Sequence, residues 1–509
     1  MQEGKKKKSI LSTMMSVTGI VLLSKLFGFV KQIIIANAFG ATIQTDIISL
    51  SEGLIANTDY LLIQALSTAF IPTYIYLKSS EGDNNRIFQF VSNTIIFFFT
   101  ITVCISFSFI VFSPIIAKIL APSYSNELSN LLTKYIRLYS PLIILIVELA
   151  VFNALLKANE HFIPGELIGF NQSVILIFLT FLIGDTYGPD TLVIGYYTYA
   201  VYNLFFLAWF SRKYWTIKIK NPFIDKNVQK MVVMMGPLLL GYSMVFVNQQ
   251  VDKVIVSGLG EGTITAMGYA SVLSNFICTF IGSICGILFT YITQKIAVKD
   301  NEGAAQLTSK MVVLLVTVLL PISILTVLNS KDIVNAVFGR GKFDSKAVTT
   351  CAYALVGYGL MFIPYIIKEM FSRVQYAYGD SKQPMINSSI GIFVNIFMSI
   401  LLSRYIGVLG VTISTSISVL VCGILNMKYS YKTNGFFSDF NYREFLPKWF
   451  CGSALCVIVS EMGKMIFVQM PSLLRFIIIT IVSFSFYFIV VFSIVKPVLM
   501  QYVNRRKIL

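Results

Sequence analysis

Charged residues are scarce in this chain of 509 residues. They make up 13% of it, against roughly 25% in soluble proteins, while hydrophobic residues make up 56% and the mean hydropathy is +0.76. This shortage excludes a soluble fold. It predicts an all-α polytopic membrane protein, because a helix satisfies its own backbone hydrogen bonds where lipid offers none.

Histidine and cysteine, which often hold metals or take part in catalysis, are also few. The single histidine, His161, falls in a loop, which disfavours a zinc site, a histidine-based triad and a histidine proton relay. The seven cysteines lie in apolar surroundings without paired metal-binding spacing. No loop is long enough for a sugar-nucleotide domain, so we expect no enzyme activity and no bound cofactor.

Long apolar runs fill the sequence instead, and they predict about fourteen transmembrane helices, since a hydrocarbon core of about 30 Å needs roughly 20 helical residues. The first twelve predicted spans form two groups of six, and two further spans follow them. In chain order they are 10–38, 44–77, 87–117, 128–156, 164–184, 191–210, 231–257, 263–294, 304–329, 346–373, 384–403, 408–430, 447–467 and 473–496.

Several landmarks occur twice, about 220 residues apart, which indicates an internal repeat. The helix-exit segment Lys157–Pro164 corresponds to Ala377–Pro384, and the turn that begins at Gly40 corresponds to the one at Gly260. We therefore predict an N-terminal six-helix lobe over 1–220 and a C-terminal six-helix lobe over 221–435. Residues 436–509 add two helices and a tail. An even number of spans between the repeats gives both lobes one orientation.

The loops alternate in their content of lysine and arginine. Every second loop is basic, beginning with Lys5 to Lys8 and ending with the tail that contains Arg505 and Arg506. Because basic loops stay in the cytosol, we expect a multi-pass protein of the bacterial cytoplasmic membrane with both termini cytosolic. Topology and contact with anionic lipids account for the net charge of +16, and no nucleic-acid partner is expected.

Lysines inside predicted spans raise the free energy of membrane insertion, so their positions indicate a polar environment or a ligand. Lys25 lies roughly 22 Å into the first helix, where a lysine costs about 2.5 to 3.5 kcal/mol on insertion scales. It should face a wet cavity, a carboxylate or an anionic ligand. Lys31 is closer to the outer interface and could also snorkel. A bend at Gly28 would bring both lysines toward one cavity.

Carboxylates also occur inside the predicted spans. They could pair with the lysines, bind a coupling ion, or form buried ion pairs that only fix helix register. They are Asp46, Glu52, Asp59, Glu148 and Asp252. Lys253 follows Asp252 directly and points to a different face of the helix. On the tenth span, Lys368, Glu369 and Arg373 form a cluster that suits either interfacial snorkelling or phosphate capture.

Several motifs resemble one family of membrane proteins. Ser24-Lys25-Leu-Phe-Gly28-Phe-Val-Lys31, followed by Phe39-Gly40-Ala41 and Asp46, is similar to the opening signature of the MurJ (MviN) lipid II flippases, within the multidrug/oligosaccharidyl-lipid/polysaccharide exporter superfamily. The segments Phe338–Phe343 and Arg373–Pro384 resemble later motifs of that family. The resemblance covers roughly residues 10–430.

The resemblance implies two six-helix lobes around a cationic cavity, and alternating access for an undecaprenyl-diphosphate-linked glycan. Lys25 and Lys31 match positions where the family has cavity arginines. The charge pattern of the spans, apart from the resemblance, makes Asp46, Glu52, Lys368 and Arg373 further candidates for substrate binding. A lysine in place of an arginine keeps the positive charge but cannot form the bidentate pair of hydrogen bonds that a guanidinium forms with a phosphate. Membrane lipids and cell-wall synthases are the other expected partners.

The sequence departs from the family pattern at two further arginine positions, which align with Thr58 or Asp59 and with Val272. The sodium site known in some members matches a set of five residues here. They are Asp252, Asn395, Ser399, Val411 and Thr415. Ser399 replaces a carboxylate, so this site would hold a cation less strongly. The coupling ion could be Na+ or H+, or the membrane potential could drive transport.

Three functions fit the sequence. The first is a flippase for a cell-wall precursor, with lipid II as the favoured cargo. The second is a flippase of the same architecture for another polyprenyl-linked glycan, such as a capsule, teichoic or exopolysaccharide precursor, which the missing arginines favour. The third is a cation-coupled multidrug exporter.

Overall fold

The computed structural model describes residues 2–80, 84–216, 218, 221–434 and 445–506. Within these ranges the chain is helical, with one short 3-10 turn and no strand, as the composition predicts. The helices are α1 (Gln2–Phe39), α2 (Ile43–Ser80), α3 (Asn84–Leu120), α4 (Asn126–Tyr139), α5 (Leu142–Ala158), α6 (Ile163–Tyr187), α7 (Thr191–Ser211), α8 (Lys226–Ser257), α9 (Thr263–Ala297), α10 (Asn301–Leu328), α11 (Ser330–Phe338), α12 (Ser345–Gly359), α13 (Phe362–Ala377), α14 (Lys382–Asn434), α15 (Leu446–Ile466) and α16 (Ser472–Arg506).

The described helices suit a membrane protein in length and composition. Ten segments are long and apolar enough to cross a bilayer, and twelve if each of two bent helix pairs counts as one span. Two of these segments, Ile163–Ser211 and Lys382–Lys432, are about twice the usual span length. Each of them folds back on itself, which is consistent with the fourteen spans expected from the sequence.

The fold-back inside α14 occurs at Gly407. Its backbone has φ 57° and ψ −135°, outside helical values. Contacts between the two arms prove the reversal: Asn387 Nδ2 donates to Asn426 Oδ1 at 2.7 Å, and Ser418 Oγ donates to the carbonyl of Gly391 at 2.7 Å. Gly188, between α6 and α7, has nearly the same backbone, with φ 56° and ψ −142°.

Alanine at Gly407 should lower stability by about 1–3 kcal/mol, because side chains rarely adopt this backbone conformation. The change in stability is measured by thermal unfolding of the purified protein in detergent, with the folded fraction determined by size-exclusion chromatography. Gly268→Ala is the matched control, since this exposed helical glycine has no atom within 4 Å of an added Cβ. Equal stability of the two variants would contradict the prediction.

Two of the predicted spans consist of two helices each. The span predicted over 128–156 breaks at Ser140 and Pro141, where α4 ends and α5 begins. The span predicted over 346–373 bends by 41° between α12 and α13. The ring of Pro364 crowds the carbonyl four residues before it, which lies in this break.

Backbone geometry repeats along with the sequence. Glu160 and Gly379, about 220 residues apart, both have positive φ after a broken helix, and Gly188 and Gly407 show the same correspondence. These pairs support the duplication that the sequence indicates.

The chain forms two compact units. Unit 1 comprises Met1–Ile264 with Gly341–Phe343, and unit 2 comprises Thr265–Arg340 with Asp344–Leu509. α8 belongs to unit 1, where it packs on α2 and α3, although the repeat assigns it to the second lobe. The lobe boundaries at 220 and 435, which the repeat predicts, stay a prediction.

Each unit has its own packed interior. In unit 1, α1 packs on α6, while α2 and α7 pack on α5. In unit 2, α9, α10 and α13 share an apolar core that contains Ile281, Leu319 and Phe371. α15 and α16 pack on each other and on α10, and the Arg475 guanidinium binds the Asp332 carboxylate between α16 and α11.

Candidate functional site: charged groups inside unit 1

The first helix presents its two predicted lysines to different surroundings. One side of α1 packs on α6, where Ser24 Oγ donates to the carbonyl of Glu166 at 3.2 Å and the rings of Phe27 and Phe170 lie 4.8 Å apart. Lys25 lies on the open side of α1 and is exposed, whereas Lys31 is buried. A shared cavity for the two lysines, produced by a bend at Gly28, stays a prediction.

Glu52 is the carboxylate whose charge acts on Lys31 inside unit 1. The carboxylate of Glu52 acts electrostatically on Lys31, and it accepts a hydrogen bond from the Tyr196 hydroxyl at 3.1 Å. The sequence predicts a substrate-binding role for both residues. The structure brings them together from α1 and α2.

A second lysine, Lys253 on α8, is half-buried, and the charge of the same carboxylate acts on it. Its Nζ lies 3.5 Å from the carbonyl of Ser49 on α2. Gly53 leaves room for this amine, since a Cβ at that position would lie 1.6 Å from Nζ. Sequence reasoning placed Lys253 on a different face from Asp252 and gave it no role. The small residue Gly53, next to Glu52, was the available signal.

Lys31, Glu52 and Lys253 together form what we call the charge cluster of unit 1. Two lysines share one carboxylate, so the charge cluster carries one net positive charge. A cationic group held away from water attracts anions strongly, because little solvent screens it. The charge cluster can therefore counter part of the charge of a phosphate-containing ligand.

A cavity of about 220 Å³ adjoins the charge cluster. Its polar lining comes from α2, α4, α6 and α7. The lining residues with polar groups include Glu52, Asp59, Tyr139, Gln172, Tyr196 and Tyr199. Carboxylate, phenol and amide groups make the cavity able to hold water, a cation or a proton.

Asp59 and Glu148 are buried carboxylates whose oxygens find no hydrogen-bond partner among the described residues. Asp59 lies in the cavity wall and is 3% exposed. Glu148 lies on α5 and is 6% exposed. Neither forms an ion pair with a described lysine or arginine, so the expectation that Asp59 or Glu148 pairs with one is not met in this part of the chain.

Asp46 lies away from the cavity wall, in the first turn of α2, where it is fully buried. This end of α2 follows the tight turn at Gly40, against which the segment Gly341–Phe343 packs. The N–H of Lys342 donates to the carbonyl of Asn37 at 3.0 Å, and a Cβ on Gly40 would lie 2.3 Å from the carbonyl oxygen of Lys342. The family-like motifs at Phe39–Ala41 and Phe338–Phe343 thus include residues that pack on one another.

In unit 2, the predicted cluster on α13 forms a local network. Arg373 Nη2 lies 3.3 Å from the Glu369 carboxylate and donates to the carbonyl of Gly282 on α9 at 3.3 Å. Lys368 Nζ lies 5.7 Å from the centre of the Tyr365 ring. Arg373 and Lys368 are therefore held by protein groups in this structure, and their binding of substrate stays a prediction.

The residues predicted to bind sodium belong to both units. Asp252 is part of unit 1, and Asn395, Ser399, Val411 and Thr415 are part of α14 in unit 2. Within α14, Asn395 Nδ2 donates to Thr415 Oγ1, which donates to the carbonyl of Val411, each at 3.3 Å. The described residues contain no group of three or more His, Cys, Asp or Glu side chains that could hold a metal. The sodium site stays a prediction.

The motif Ala377–Pro384 closes α13 and opens α14. Asp380 Oδ1 accepts hydrogen bonds from the N–H groups of Lys382 at 3.0 Å and Gln383 at 3.1 Å, and so caps α14. The N–H of Gln383, followed by the side chain of Tyr429, lowers the pKa of the Asp380 carboxyl. Gly379 supplies the positive φ of the turn. The motif therefore has a structural role at this turn.

Helices of membrane-spanning length, with lysines and carboxylates in their interior, define a multi-pass membrane protein. Solved structures share the fold. A structure described as "Lipid II flippase MurJ, inward closed conformation" matches with TM-score 0.77 and 21% identity, over 93% of this chain and 99% of that one. An inward-facing multidrug resistance MATE family transporter of the MOP superfamily matches with TM-score 0.67 and 14% identity, over 81% and 94%.

The family follows from sequence. The family model described as "Lipid II flippase MurJ" matches residues 35–487, and this chain belongs to that family. A probable lipid II flippase MurJ from Buchnera aphidicola is 26% identical over 439 residues, covering 83% of this chain and 84% of the relative. One from Rickettsia prowazekii is 24% identical over 439 residues, covering 82% and 83%. The chain is thus a multi-pass inner-membrane protein of a transporter family, as the resemblance implied.

Proposed function

We propose that this protein is a flippase that moves lipid II, the undecaprenyl-diphosphate-linked precursor of peptidoglycan, from the inner to the outer leaflet by alternating access. The match to the lipid II flippase family over residues 35–487 carries the proposal, since it includes helices of both units. The relatives in Buchnera aphidicola and Rickettsia prowazekii are described as probable lipid II flippases.

The charges of unit 1 support an anionic cargo. A diphosphate that crosses hydrocarbon needs cations to replace the water that it loses. Lys25 supplies one on the open side of α1, and the charge cluster supplies a net positive charge within the same unit. Lysine attracts a phosphate as a point charge without the geometric fork of arginine.

The direction of transport rests on topology. The alternation of loops rich in lysine and arginine supports a topology with both termini in the cytosol. A flippase of this family, as the resemblance implies, would load its cargo from the cytosolic leaflet. Cell-wall synthases on the outer side would receive it.

A second cargo, another polyprenyl-diphosphate glycan, has one observation in its favour. The position where the family places an arginine on the second helix aligns with Thr58 or Asp59, and Asp59 puts a carboxylate in the cavity wall. A negative group there weakens the attraction for a large anionic headgroup. Lys253 restores a positive charge nearby, which is why lipid II remains the favoured cargo.

Rescue of cells that have lost their own lipid II flippase tests the proposal. We expect the wild-type chain to restore growth and cell shape in a strain whose flippase gene is switched off. Cells with an empty vector should lyse. Lysis of cells that contain the protein in normal amounts would contradict lipid II as the cargo.

Reconstitution then identifies the cargo directly. Vesicles containing the purified protein receive either lipid II or an undecaprenyl-diphosphate glycan of another pathway, and leaflet exchange is scored for each. Faster exchange of lipid II supports the proposal. Exchange of the second lipid alone would assign the protein to the other glycan.

A further inference from the structure

Asp59 is one of two buried carboxylates in unit 1, with Glu148, whose oxygens both lack a hydrogen-bond partner among the described residues. It is 3% exposed, lies in the wall of the 220 Å³ cavity, and has no hydrogen-bond partner for either carboxylate oxygen among the described residues. Burial of an ionised carboxylate without a partner is strongly unfavourable. An ionised Asp59 therefore needs a cationic ligand, and the cavity beside it provides the space.

The groups that surround Asp59 decide which cation fits. They are Glu52 and Tyr60 on its own helix, Tyr139 on α4, Gln172 on α6, and Tyr196 and Tyr199 on α7, while α5 contributes the apolar Leu142 and Ile146. The cations of the neighbouring helices, Lys31 on α1 and Lys253 on α8, act on Glu52.

A proton fits this site better than a metal ion. Among the described residues, Glu52 is the one other carboxylate in the cavity wall; its charge acts on two lysines, and it accepts a hydrogen bond from Tyr196. A hard metal cation prefers more free oxygen ligands than remain here. We propose that Asp59 is an exchangeable proton-binding site of unit 1, with the adjoining cavity as its route to water.

The proton on Asp59 controls the charge that a cargo meets. With Asp59 protonated, Lys31, Lys253 and Glu52 sum to one positive charge. Loss of the proton makes Asp59 negative and brings the sum to zero. This consequence rests on the proposed function: the protonated site favours a diphosphate, and the ionised site favours its release.

Infrared spectroscopy of the full chain in lipid bilayers tests the proton directly, whatever the cargo. We expect a carbonyl stretch of a protonated carboxylic acid at neutral pH, which shifts in heavy water and disappears as the pH rises. Glu148→Gln serves as the background, because Glu148 is a second buried carboxylate without a partner. Asp59→Asn in that background should remove the titrating band.

Two further measurements keep the test decisive if Asp59→Asn folds poorly. Asp59→Glu should retain a titrating band at an altered frequency. Replacement of choline chloride by sodium chloride should leave the band of the Glu148→Gln protein unchanged. Persistence of the band in Asp59→Asn, or its loss when sodium is added, would overturn the assignment of a proton to Asp59.

The effect on cargo is measured separately, with undecaprenyl diphosphate as the probe. The affinity is measured at two pH values taken from the infrared titration, one at which Asp59 is protonated and one at which it is ionised. From the first pH to the second, the affinity of the wild-type protein should fall about tenfold more than that of Asp59→Asn. The asparagine variant corrects for titration of the diphosphate itself. A titrating band with equal pH dependence of the two affinities would keep the proton site and overturn its control of cargo binding. Loss of binding in both proteins at every pH would instead contradict the proposed function.

Discussion

Replacement of Lys25 by alanine should slow lipid flipping by about ten- to a hundredfold, while the protein remains inserted and abundant. A hydrogen bond between a charged group and its partner contributes about 1.5–3 kcal/mol, and its loss gives a rate change of this size if the contact is made during transport. Lys25→Arg should retain transport, because arginine keeps the charge and adds a second donor for phosphate.

The reason lies in the position of Lys25 on α1. It is exposed on unit 1 beside Leu22 and Leu26, opposite the side that packs on α6. No described residue forms an ion pair with it. An amine at this depth of a predicted span needs a counter-charge, which a lipid-linked diphosphate supplies.

The measurement is leaflet exchange in reconstituted vesicles with equal amounts of each variant. Lys118→Ala is the matched control, since Lys118 is an exposed lysine in the last turn of α3. We expect it to flip lipid at the wild-type rate. Normal transport by Lys25→Ala would refute the role of this amine in cargo binding.

Glu52→Gln should destabilise the protein by about 3 kcal/mol, because it removes the shared counter-charge of one buried and one half-buried lysine. Glutamine has the same shape and can still accept the hydrogen bond from Tyr196. The change therefore isolates the charge. Thermal unfolding of the purified protein in nanodiscs reports the difference.

A second substitution should recover part of this loss. Lys253→Met in the Glu52→Gln background removes one of the two uncompensated cations. The flexible apolar side chain of methionine then fills the space that Gly53 leaves. Glu127→Gln is the control, as Glu127 is an exposed acid in the first turn of α4. If the double variant were no more stable than Glu52→Gln, the lysines would not share that carboxylate.

The arrangement of spans could be predicted because hydrophobic length leaves few alternatives in lipid. The separate spans predicted at 384–403 and 408–430 correspond to the two arms of α14, which reverse at Gly407. The breaks near Pro141 and Pro364 were not predicted. A proline signals a possible kink, but neighbouring helices decide whether the helix bends or breaks.

Part of the candidate site could also be predicted. The cost of burying charge singled out Lys31, Glu52 and Asp59. The sequence could not show that Lys253 joins them, since periodicity gives the faces of one helix and not the neighbour that each face meets. The cavity beside Asp59 is likewise a product of packing among helices that are distant in sequence.

The matching reversals at Gly188 and Gly407 affect how a mutational survey of this protein should be interpreted. Most substitutions at either position should reduce the amount of mature protein in the membrane, although an added Cβ would meet no other atom within 4 Å. A loss of protein after substitution at Gly188 or Gly407 would reflect a failure of the nascent chain to turn back into the bilayer. A map of cargo recognition should therefore leave both positions out.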